Sequence, residues 1–487
     1  MDISQKIPSE VKNVITALKK AGYQAYAVGG AVRDMVLGRE PKDWDVATSA
    51  KPEEIVKIFP DSVYENSFGT VGVKTRSDDK SVAVIEVTTF RKEGSYSDFR
   101  HPDEVEFSGD LNDDLARRDF TVNAMAASVG GEITDPFGGR EDIKKKIIKA
   151  VGDPNERFRE DALRLMRAVR FAAELGFNID TDTFSAIADN ADLMAQIAEE
   201  RIRDEFVKMM MSADSGPAWG IVQMEKTGIL RHVMPELIEG IGVSQNKHHI
   251  YTVWEHNLRA LDYAAKNGAS LEVRIASLLH DVGKPRSKEG EGPDATFHAH
   301  EVIGAKMAKK IMERLKFPKE TSERVVHLVR HHLFYYNVGE VTEAGVRRFI
   351  SRVGEENIDD LFKIREADRI GSGVPKAVPY KTRHLRFMID KVRHDPISPK
   401  MLKVDGIKLM EHLKITPGPK VGMILGILLE DVLDEPARND EKALLKKADG
   451  LNKLGDGELA EKYRRAKAAK QEFEAEEEKE MKKRHKV

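Results

Sequence analysis

The sequence predicts an α+β fold at the amino terminus, followed by domains built only from helices. Short runs rich in apolar and β-branched residues, at 24–28, 44–47, 71–75 and 81–89, alternate with polar and helix-like segments, which is typical of a small mixed sheet. From about residue 155 onward, apolar residues recur at helical spacing and glycine or proline breaks separate the segments. A chain of 487 residues also exceeds the size at which one hydrophobic core keeps growing. We therefore expect several domains.

The changes of pattern along the chain place the expected domain boundaries near residues 150, 244 and 395. The mixed head covers 1–150 and a first helical region covers 151–244. A histidine-rich domain follows over 245–395, and a helical tail, increasingly charged from about residue 460, covers 396–487.

Composition limits the chemistry that the chain can perform. Its formal net charge is -3, so a nucleic-acid partner would have to be held by local basic patches. There is no cysteine, which excludes disulfides, thiolate metal ligands and cysteine nucleophiles. The first residues lack the apolar core of a signal peptide, and no run of about 18 apolar residues could span a membrane. We expect a cytoplasmic protein with no membrane partner.

A glycine pair and a pair of aspartates suggest a site for a triphosphate and a metal ion. Gly29 and Gly30 separate the first predicted strand from a predicted helix, so backbone N–H groups there can approach a phosphate. Asp43 and Asp45 lie two residues apart on the next predicted strand, and both carboxylates would point to one face. Neighbouring carboxylates repel unless a cation lies between them, and oxygen ligands favour Mg²⁺. Taken alone, such an aspartate pair is more often an ordinary loop feature.

Glu86 is a candidate for a third carboxylate in this site. It lies between Ile85 and Val87 in a predicted strand, where a buried charge is unfavourable unless it has a partner. With Asp43 and Asp45 it would complete a two-metal site, which activates an attacking hydroxyl and stabilises leaving pyrophosphate.

The segment LARRDFTVNAMA, at 115–126, carries four candidate polar contacts. Arg117 and Arg118 are suited to phosphate, whereas Asp119 and Asn123 would either contact ribose or brace the loop. The structural alternative for this segment is a helix cap with a surface ion pair.

The segment EDALRLMRAVR, at 160–170, predicts one helix with an apolar side. Asp161, Arg164, Arg167 and Arg170 recur every three residues on its other side. If this helix stood alone, a solvated basic face would be the better interpretation.

Together, the motifs GGAVRD, DWDVAT, RRDFTVNAMA and EDALRLMRAVRF resemble those of the class II tRNA nucleotidyltransferase and bacterial poly(A) polymerase family. The resemblance covers about the first 180 residues. It implies template-independent addition of C and A, from CTP and ATP, to the 3′ end of tRNA. It also implies that 1–150 is the catalytic head and that 151–244 selects the nucleotide and binds RNA.

The same resemblance assigns roles to particular residues. It implies Mg²⁺ at Asp43 and Asp45, and base selection by Asp161 and Arg164, whose edges would hydrogen-bond the incoming base. This is chemically reasonable, because C and A both carry an exocyclic amine where U and G carry a carbonyl. The full set of implied nucleotide contacts is Gly30, Arg33, Arg118, Asp161, Arg164, Arg167 and Arg170.

Two segments bear on specificity within the family. Bacterial poly(A) polymerases resemble one another in a Gly-Arg-Arg-Phe segment after the aspartate pair, whereas this chain has FGTVGV at 68–73. Enzymes that add only CC lack a flexible loop that RKEGSYSDFR, at 91–100, resembles. We therefore expect terminal A addition. An enzyme that adds only A beside a separate CC-adding partner, and a poly(A) polymerase, remain alternatives.

The histidine-rich domain predicts a second metal site. His280 and Asp281 are adjacent on a predicted helix, with His256 upstream and Asp368 downstream. Imidazole and carboxylate ligands with open positions suit a hydrolytic centre. The set resembles the HD phosphohydrolase superfamily, which implies that these four residues hold a divalent transition metal. The superfamily further implies a second ion at His300, His331 and His332.

The resemblance implies phosphatase or 2′,3′-cyclic phosphodiesterase activity for this HD-type domain. His327 and His384 are expected to be packed or solvated instead of ligating. Two further alternatives are an HD phosphohydrolase whose amino-terminal domain only senses nucleotides, and an RNA-binding protein without catalysis. Clustered acidic residues argue against both, since a binder gains nothing from charge repulsion.

Overall fold

The computed structural model describes residues 3–64, 69–94, 105–245, 250–374 and 376–466. The chain forms two compact units, the first made of Met1–Ile238 with Ile311–Phe317 and the second of Glu239–Lys310 with Pro318–Val487. Strands are concentrated in the first unit and helices dominate the rest, so the predicted α+β class is confirmed. The boundaries near 150, 244 and 395 stay predictions. Across the described ranges, none of the helices combines the length and apolar character needed to cross a bilayer.

The strands, in chain order, are β1 Ala25–Val28, β2 Asp45–Thr48, β3 Ser62–Tyr64, β4 Thr70–Lys74, β5 Val84–Thr89, β6 Arg91–Glu93, β7 Val105–Phe107, β8 Ala126–Ala127, β9 Ile133–Thr134, β10 Ile147–Ile148, β11 Asn178–Ile179, β12 Lys288–Glu289 and β13 Thr296–Phe297. Seven of them form one sheet in the order β3-β4-β5-β2-β1-β8-β9. The predicted hairpin over 71–75 and 81–89 is confirmed as the antiparallel pair β4–β5.

The centre of this sheet places the ends of two strands side by side. β2 pairs with β5 in parallel, with Asp45 opposite Glu86, and β1 pairs with β2 antiparallel, with Val28 opposite Asp45. A buried cluster that includes Val28, Phe90 and Leu115 packs against this part of the sheet. The rigid centre of the sheet therefore fixes the backbone positions of both carboxylates.

The helices, in chain order, are α1 Ser9–Lys20, α2 Gly30–Leu37, α3 Pro52–Ile58, α4 Leu111–Ala116, α5 Gly139–Lys145, α6 Pro154–Glu160, α7 Leu163–Leu175, α8 Thr181–Asp189, α9 Glu199–Met210, α10 Gly216–Lys226, α11 Leu230–Val233, α12 Pro235–Ile238, α13 Val253–Lys266, α14 Leu271–Leu279, α15 Lys284–Ser287, α16 His300–Arg314, α17 Lys319–His331, α18 Glu343–Val353, α19 Ile358–Gly371, α20 Tyr380–Val392, α21 Gly406–Leu413, α22 Pro419–Asp434 and α23 Glu441–Asn452. The helix predicted after the glycine pair is confirmed as α2.

The prediction of one continuous helix over 160–170 was wrong. Helix α6 ends at Glu160, Asp161 is extended with φ -132° and ψ 103°, and α7 begins at Leu163. The Asp161 carboxylate accepts a hydrogen bond from the backbone N–H of Leu163 at 3.1 Å. A short side chain that satisfies an otherwise free amide at a helix start favours such a break.

Two smaller expectations were also wrong. β2 begins at Asp45, so Asp43 precedes the strand instead of lying on it. In the second unit, α14 ends at Leu279, so His280 and Asp281 follow the helix instead of lying within it. In both cases the candidate site residues lie next to the end of an element, where the backbone can leave the regular geometry.

Candidate nucleotidyl-transfer and metal sites

Three carboxylates lie near one another at the start of β2. Asp45 and Glu86 share one register position on parallel strands, and Asp43 lies two residues before Asp45 in an exposed bend. Burial raises the pKa of Asp45 to about 6; Arg118 opposes this shift, whereas the negative charges of Glu86 and Asp43 add to it. A cation bound among the carboxylates would relieve this repulsion. The donor set, oxygen only, fits Mg²⁺.

Gly29 brings the backbone of the first strand close to this acidic group. It has φ +72°, and a Cβ at this position would lie 2.8 Å from Arg118 Nη1 and 3.5 Å from an Asp45 carboxylate oxygen. Glycine is required here both for the positive φ and for the space that Arg118 occupies. The Arg118 guanidinium donates to Asp114 at 3.1 Å, and Asp114 is fully buried.

A cavity of about 930 Å³ in the first unit joins the predicted site residues. Its lining includes nine of the residues that the sequence motifs point to: Gly30, Arg33, Asp43, Asp45, Arg118, Asp161, Arg164, Arg167 and Arg170. Glu86 does not line this cavity, so its place in the site depends on its register opposite Asp45.

The arginines of the cavity are ordered around one aromatic ring. The guanidinium carbons of Arg33, Arg167 and Arg170 lie 5.3, 5.1 and 3.4 Å from the centre of the Phe171 ring. Arg164 and Arg170 are 8% and 5% exposed, so the alternative of a solvated basic face is wrong for this helix. Guanidinium groups over a buried ring lose little by partial desolvation, because the ring face attracts cations.

A buried carboxylate ties the segment at 115–126 to helix α7. Asp119 accepts two hydrogen bonds from Arg167, at 2.9 and 2.6 Å, and one from the side chain of Asn123 at 3.1 Å. Asn123 in turn accepts a bond from Arg33 at 2.8 Å. Burial opposes ionisation of Asp119, but Arg167 outweighs it and lowers the pKa of Asp119 to about 2. Of the two expected roles for Asp119 and Asn123, bracing the loop is therefore the one that these bonds support.

The two residues expected to select the base are also held by neighbours. Arg164 donates to Glu160 at 2.7 Å and to the backbone carbonyl of Arg117 at 2.9 Å. Asp161 accepts from Arg201, on α9, at 3.3 Å. Both side chains line the cavity, and both are restrained in orientation before any nucleotide binds.

In the second unit, the predicted HD-type residues converge on one buried centre. Within the described part of the chain, two groups bring three ligand atoms within 4.8 Å of one another. One group contains His256, His280 and Asp368, and the other contains Asp281, His300 and His332. His256 Nε2 lies 2.9 Å from His280 Nε2 and 3.1 Å from an Asp281 oxygen, so the two groups adjoin.

Backbone hydrogen bonds orient three of these imidazoles in the same way. Nδ1 of His280, His300 and His332 each lies 2.8 Å from the carbonyl oxygen of the residue three positions earlier. A proton on Nδ1 leaves the Nε2 lone pair facing the centre, which is the usual arrangement of a metal-binding histidine. Burial lowers the pKa of His280, and it lowers that of His332 to about 3, so these rings are neutral at physiological pH.

The HD centre thus contains more hydrogen-bond acceptors than hydrogen-bond donors. Asp281 lies 3.4 Å from His300 Nε2 and 3.7 Å from His332 Nε2, and its nearest cation is the Lys284 ammonium at 2.6 Å. Converging imidazole nitrogens and carboxylates fit a divalent transition metal better than Mg²⁺.

Not every histidine in the expectation belongs to this centre. His331 was expected to help hold a second ion, but its ring lies 4.5 Å from that of His327 and it is absent from both ligand groups of the described residues. His327 is bonded to the carbonyl of Val353 at 2.7 Å, and His384 to the hydroxyl of Tyr336. These two have the packed environments that were expected.

Three family models match successive parts of the chain. Residues 25–149 match the family model described as the poly A polymerase head domain, and 176–240 match the probable RNA and SrmB-binding site of polymerase A. Residues 253–371 match the HD domain.

A relative over nearly the full length decides the family. The CCA-adding enzyme of Limosilactobacillus reuteri is 34% identical over 443 residues, which cover 91% of this chain and 96% of the relative. The chain belongs to the CCA-adding enzyme family. It is therefore a nucleotidyltransferase.

Other members of the family are similar either over part of the chain at higher identity or over most of the chain in structure. The CCA-adding enzyme of Anoxybacillus flavithermus is 49% identical, but over 226 residues that cover 46% of this chain and 55% of the relative. The crystal structure of the Bacillus stearothermophilus CCA-adding enzyme in complex with CTP is 30% identical, with a TM-score of 0.68, and covers 90% of this chain and 96% of that one. The Thermotoga maritima CCA-adding enzyme complexed with tRNA, 18% identical with a TM-score of 0.55 over 92% of this chain and 98% of that one, shares the fold.

Sequence reasoning missed the residues that hold the arginines and Asp161 in place. Asp114 accepts from both Arg117 and Arg118, and Glu205 accepts from Arg170 at 2.7 Å. Arg201 restrains Asp161. A weak signal was available for Glu205, because an acidic residue on the buried side of α9 needs a partner.

We predict that Gly29→Ala weakens binding of the nucleoside triphosphate by displacing Arg118. The added methyl group would lie where the Arg118 guanidinium now is, and one charge-assisted hydrogen bond to phosphate corresponds to roughly a tenfold rise in KM. The matched control is Gly38→Ala, which shares a positive φ (+76°) but has open space at the Cβ position. Both variants should lose about 1 kcal/mol of stability. Equal KM values in the two variants would show that Arg118 does not contact the triphosphate.

Proposed function

We propose that this chain adds C and A, from CTP and ATP, to the 3′ end of tRNA without a nucleic-acid template. The observation that carries the proposal is the single cavity lined by Asp43, by Asp45 and by six arginines from three separate motifs. Its relatives are named CCA-adding enzymes, and one with 30% identity was crystallised with CTP. A cytoplasmic location stays a prediction.

Asp43, Asp45 and Glu86 are the residues that would hold the metal. When bound there, Mg²⁺ would make the attacking 3′-hydroxyl more acidic and neutralise charge on the leaving pyrophosphate. The chain supplies Arg118 beside Gly29, and Arg33 at the start of α2, for contact with the phosphates. Burial is the main cause of the raised pKa of Asp45, and the nearby charges of Glu86 and Asp43 add to it, so a cation bound there would stabilise the charged carboxylate.

Base selection is assigned to the edges of Asp161 and Arg164. A carboxylate accepts from an exocyclic amine, and a guanidinium donates to ring nitrogen or carbonyl acceptors. Arg201 holds the first group, and Glu160 with the Arg117 carbonyl holds the second. A fixed pair of edges favours C and A, which share the amine, over U and G.

The alternatives within the family differ in which nucleotides they add and in which RNA 3′ end they extend. FGTVGV at 68–73 and the segment 91–100 favour an enzyme that adds both C and A, although Phe68 and residues 95–100 lie outside the described residues. An A-adding enzyme would use only tRNA that already ends in CC, and a poly(A) polymerase would extend with many A residues. A nucleotide sensor or a silent RNA-binding protein would incorporate nothing.

We predict that Asp43→Ala and Asp45→Ala abolish incorporation of both nucleotides, because each removes a metal ligand. The loss should be at least about a thousandfold in kcat, with tRNA binding unchanged. Glu86→Ala should behave in the same way if Glu86 is the third ligand. The assay supplies tRNA lacking CCA, labelled CTP or ATP, and Mg²⁺. Glu40→Gln is the control, since Glu40 is a further carboxylate of the same cavity. Near-normal turnover in either aspartate variant would remove the metal assignment.

We predict that Asp161→Ala and Arg164→Ala relax base choice more than they weaken triphosphate binding. Loss of one edge contact removes discrimination of about 1–3 kcal/mol, as for a bidentate contact to a base. The measurement compares kcat/KM for CTP and ATP with that for UTP and GTP. Asp34→Asn, which alters a cavity residue bonded to Arg33, serves as the control. Unchanged selectivity in both Asp161 and Arg164 variants would mean that other groups select the base.

The HD centre supports a second activity, hydrolysis of a phosphoester. The specific observation is the set of three imidazoles fixed with Nε2 inward beside the buried carboxylate of Asp281 and the partly buried carboxylate of Asp368. His256, His280, Asp281 and Asp368 would hold a divalent transition metal. Such an ion, when bound, would polarise a phosphate and supply hydroxide near neutral pH.

We predict that His280→Ala removes hydrolysis of a 2′,3′-cyclic nucleotide and leaves CCA addition within a few-fold. The ligands of the two reactions come from different segments of the chain. His327→Ala is the matched control, because His327 lies outside both ligand groups. Both activities are measured after metal analysis of the wild type. A wild type that binds no transition metal and hydrolyses no phosphoester would refute the assignment, and a joint loss of both activities would show that the sites are coupled.

A further inference from the structure

Helix α20, in the second unit, carries an exposed row of rings. Tyr380, His384 and Phe387 recur at the i, i+4 and i+7 spacing that places side chains on one face of a helix. Tyr380 and Phe387 are each 60% exposed. Large aromatic residues usually bury most of their surface, so two neighbouring exposed rings on one helix face suggest a partner.

The rings form a continuous group with Tyr336. The centre of the His384 ring lies 5.8 Å from that of Tyr336, with the planes 29° apart, and 5.8 and 6.0 Å from those of Tyr380 and Phe387. The Tyr336 hydroxyl is hydrogen-bonded to His384 Nδ1, which fixes the middle ring of the group. We call these four residues the ring platform.

The charge around the ring platform complements a polyanion. From Lys376 to Arg393 the sequence has six lysine or arginine residues and one acidic residue. Three of these cations are paired with glutamates of other segments: Arg386 with Glu366, Lys391 with Glu343 and Arg393 with Glu355. Lys381 and Arg383 are exposed, and neither forms an ion pair with any residue that the structure describes. Aromatic faces beside free cations are the combination that binds single-stranded nucleic acid, because bases stack on the rings while the cations contact phosphates.

Two links along the chain connect the elements of the ring platform with those of the HD centre. Arg386, on α20, donates to Glu366 at 3.3 Å, and Glu366 lies two residues before the ligand Asp368 on α19. Tyr336 follows the ligand His332 by four residues, which limits their Cα separation to about 14 Å.

We propose that the ring platform binds the last bases of a single-stranded RNA whose terminal phosphate lies at the HD centre. This inference rests on the proposed hydrolase activity and names its substrate class, an RNA end bearing a 2′,3′-cyclic phosphate instead of a free nucleotide. One water is added across one P–O bond. The water oxygen joins phosphorus, and the released ribose oxygen takes the proton, which leaves a phosphomonoester and a hydroxyl.

The test compares two substrates in the full-length protein loaded with its metal. One is an oligoribonucleotide ending in a 2′,3′-cyclic phosphate, and the other is 2′,3′-cyclic AMP. The double variant Tyr380→Ala with Phe387→Ala should raise KM for the oligonucleotide by roughly tenfold or more, since each ring contributes a stacking contact. Its kcat/KM for 2′,3′-cyclic AMP should stay within about twofold. The control is Ile407→Ala, which removes a comparably exposed apolar side chain from the same unit.

Unchanged oligonucleotide kinetics in the double variant, or an equal loss with both substrates, would overturn the proposal. If the wild type hydrolyses neither substrate, the hydrolase assignment fails, and the ring platform is then tested by fluorescence anisotropy with the same oligonucleotide. A tenfold weaker binding by the double variant would support an RNA site. Unchanged RNA binding, with or without a change in self-association, would overturn it.

Discussion

The site in the first unit depends on buried carboxylates that keep several guanidinium groups together. Arginines placed around one cavity repel one another when no ligand is present. Asp119 offsets the charge of Arg167, and Glu205 offsets that of Arg170. The pKa of Asp119, lowered to about 2, keeps this carboxylate ionised at physiological pH. Each pairing uses only some of the donors of a guanidinium, so further N–H groups remain for a triphosphate.

The first unit collects cations around its cavity, whereas the centre of the second unit collects groups that can donate electron pairs to a metal. The ligand atoms of this centre therefore suit a different metal. They are neutral imidazole nitrogens and ionised carboxylates, with Lys284 as the cation nearest to Asp281. Asp43, Asp45 and Glu86 in the first unit offer oxygen atoms alone. Hard oxygen ligands suit Mg²⁺, whereas mixed nitrogen and oxygen ligands suit first-row transition ions. One chain therefore presents two donor sets of different chemistry.

Local sequence predicted the residues that line the cavity better than the residues that hold them in place. The motifs pointed to Asp45, Arg118 and Arg164 because each lies in a short, recognisable pattern, and the structure places all three in one cavity. Arg201 and Glu205 come from α9, whose sequence has no such pattern, and only the tertiary fold brings them to their partners. Periodicity could not reveal the break at Asp161, since the apolar spacing continues in α7. Nor could it separate His331 from His332, because successive helical residues point about 100° apart and only one of them reaches the centre.

The break at Asp161 also bears on how a protein can replace a template. Under the proposed function, Asp161 and Arg164 must present the same edges to C and to A while the phosphates stay in one place. Asp161 caps the start of α7, and Arg164, in the first turn, donates to the carbonyl of Arg117, the residue before Arg118. Of the two groups proposed to select the base, Arg164 is thus bonded to the backbone that would carry a phosphate contact, and Asp161 caps the start of the same helix. A shift of either group would move both contacts together, which keeps base selection in register with the reacting phosphate.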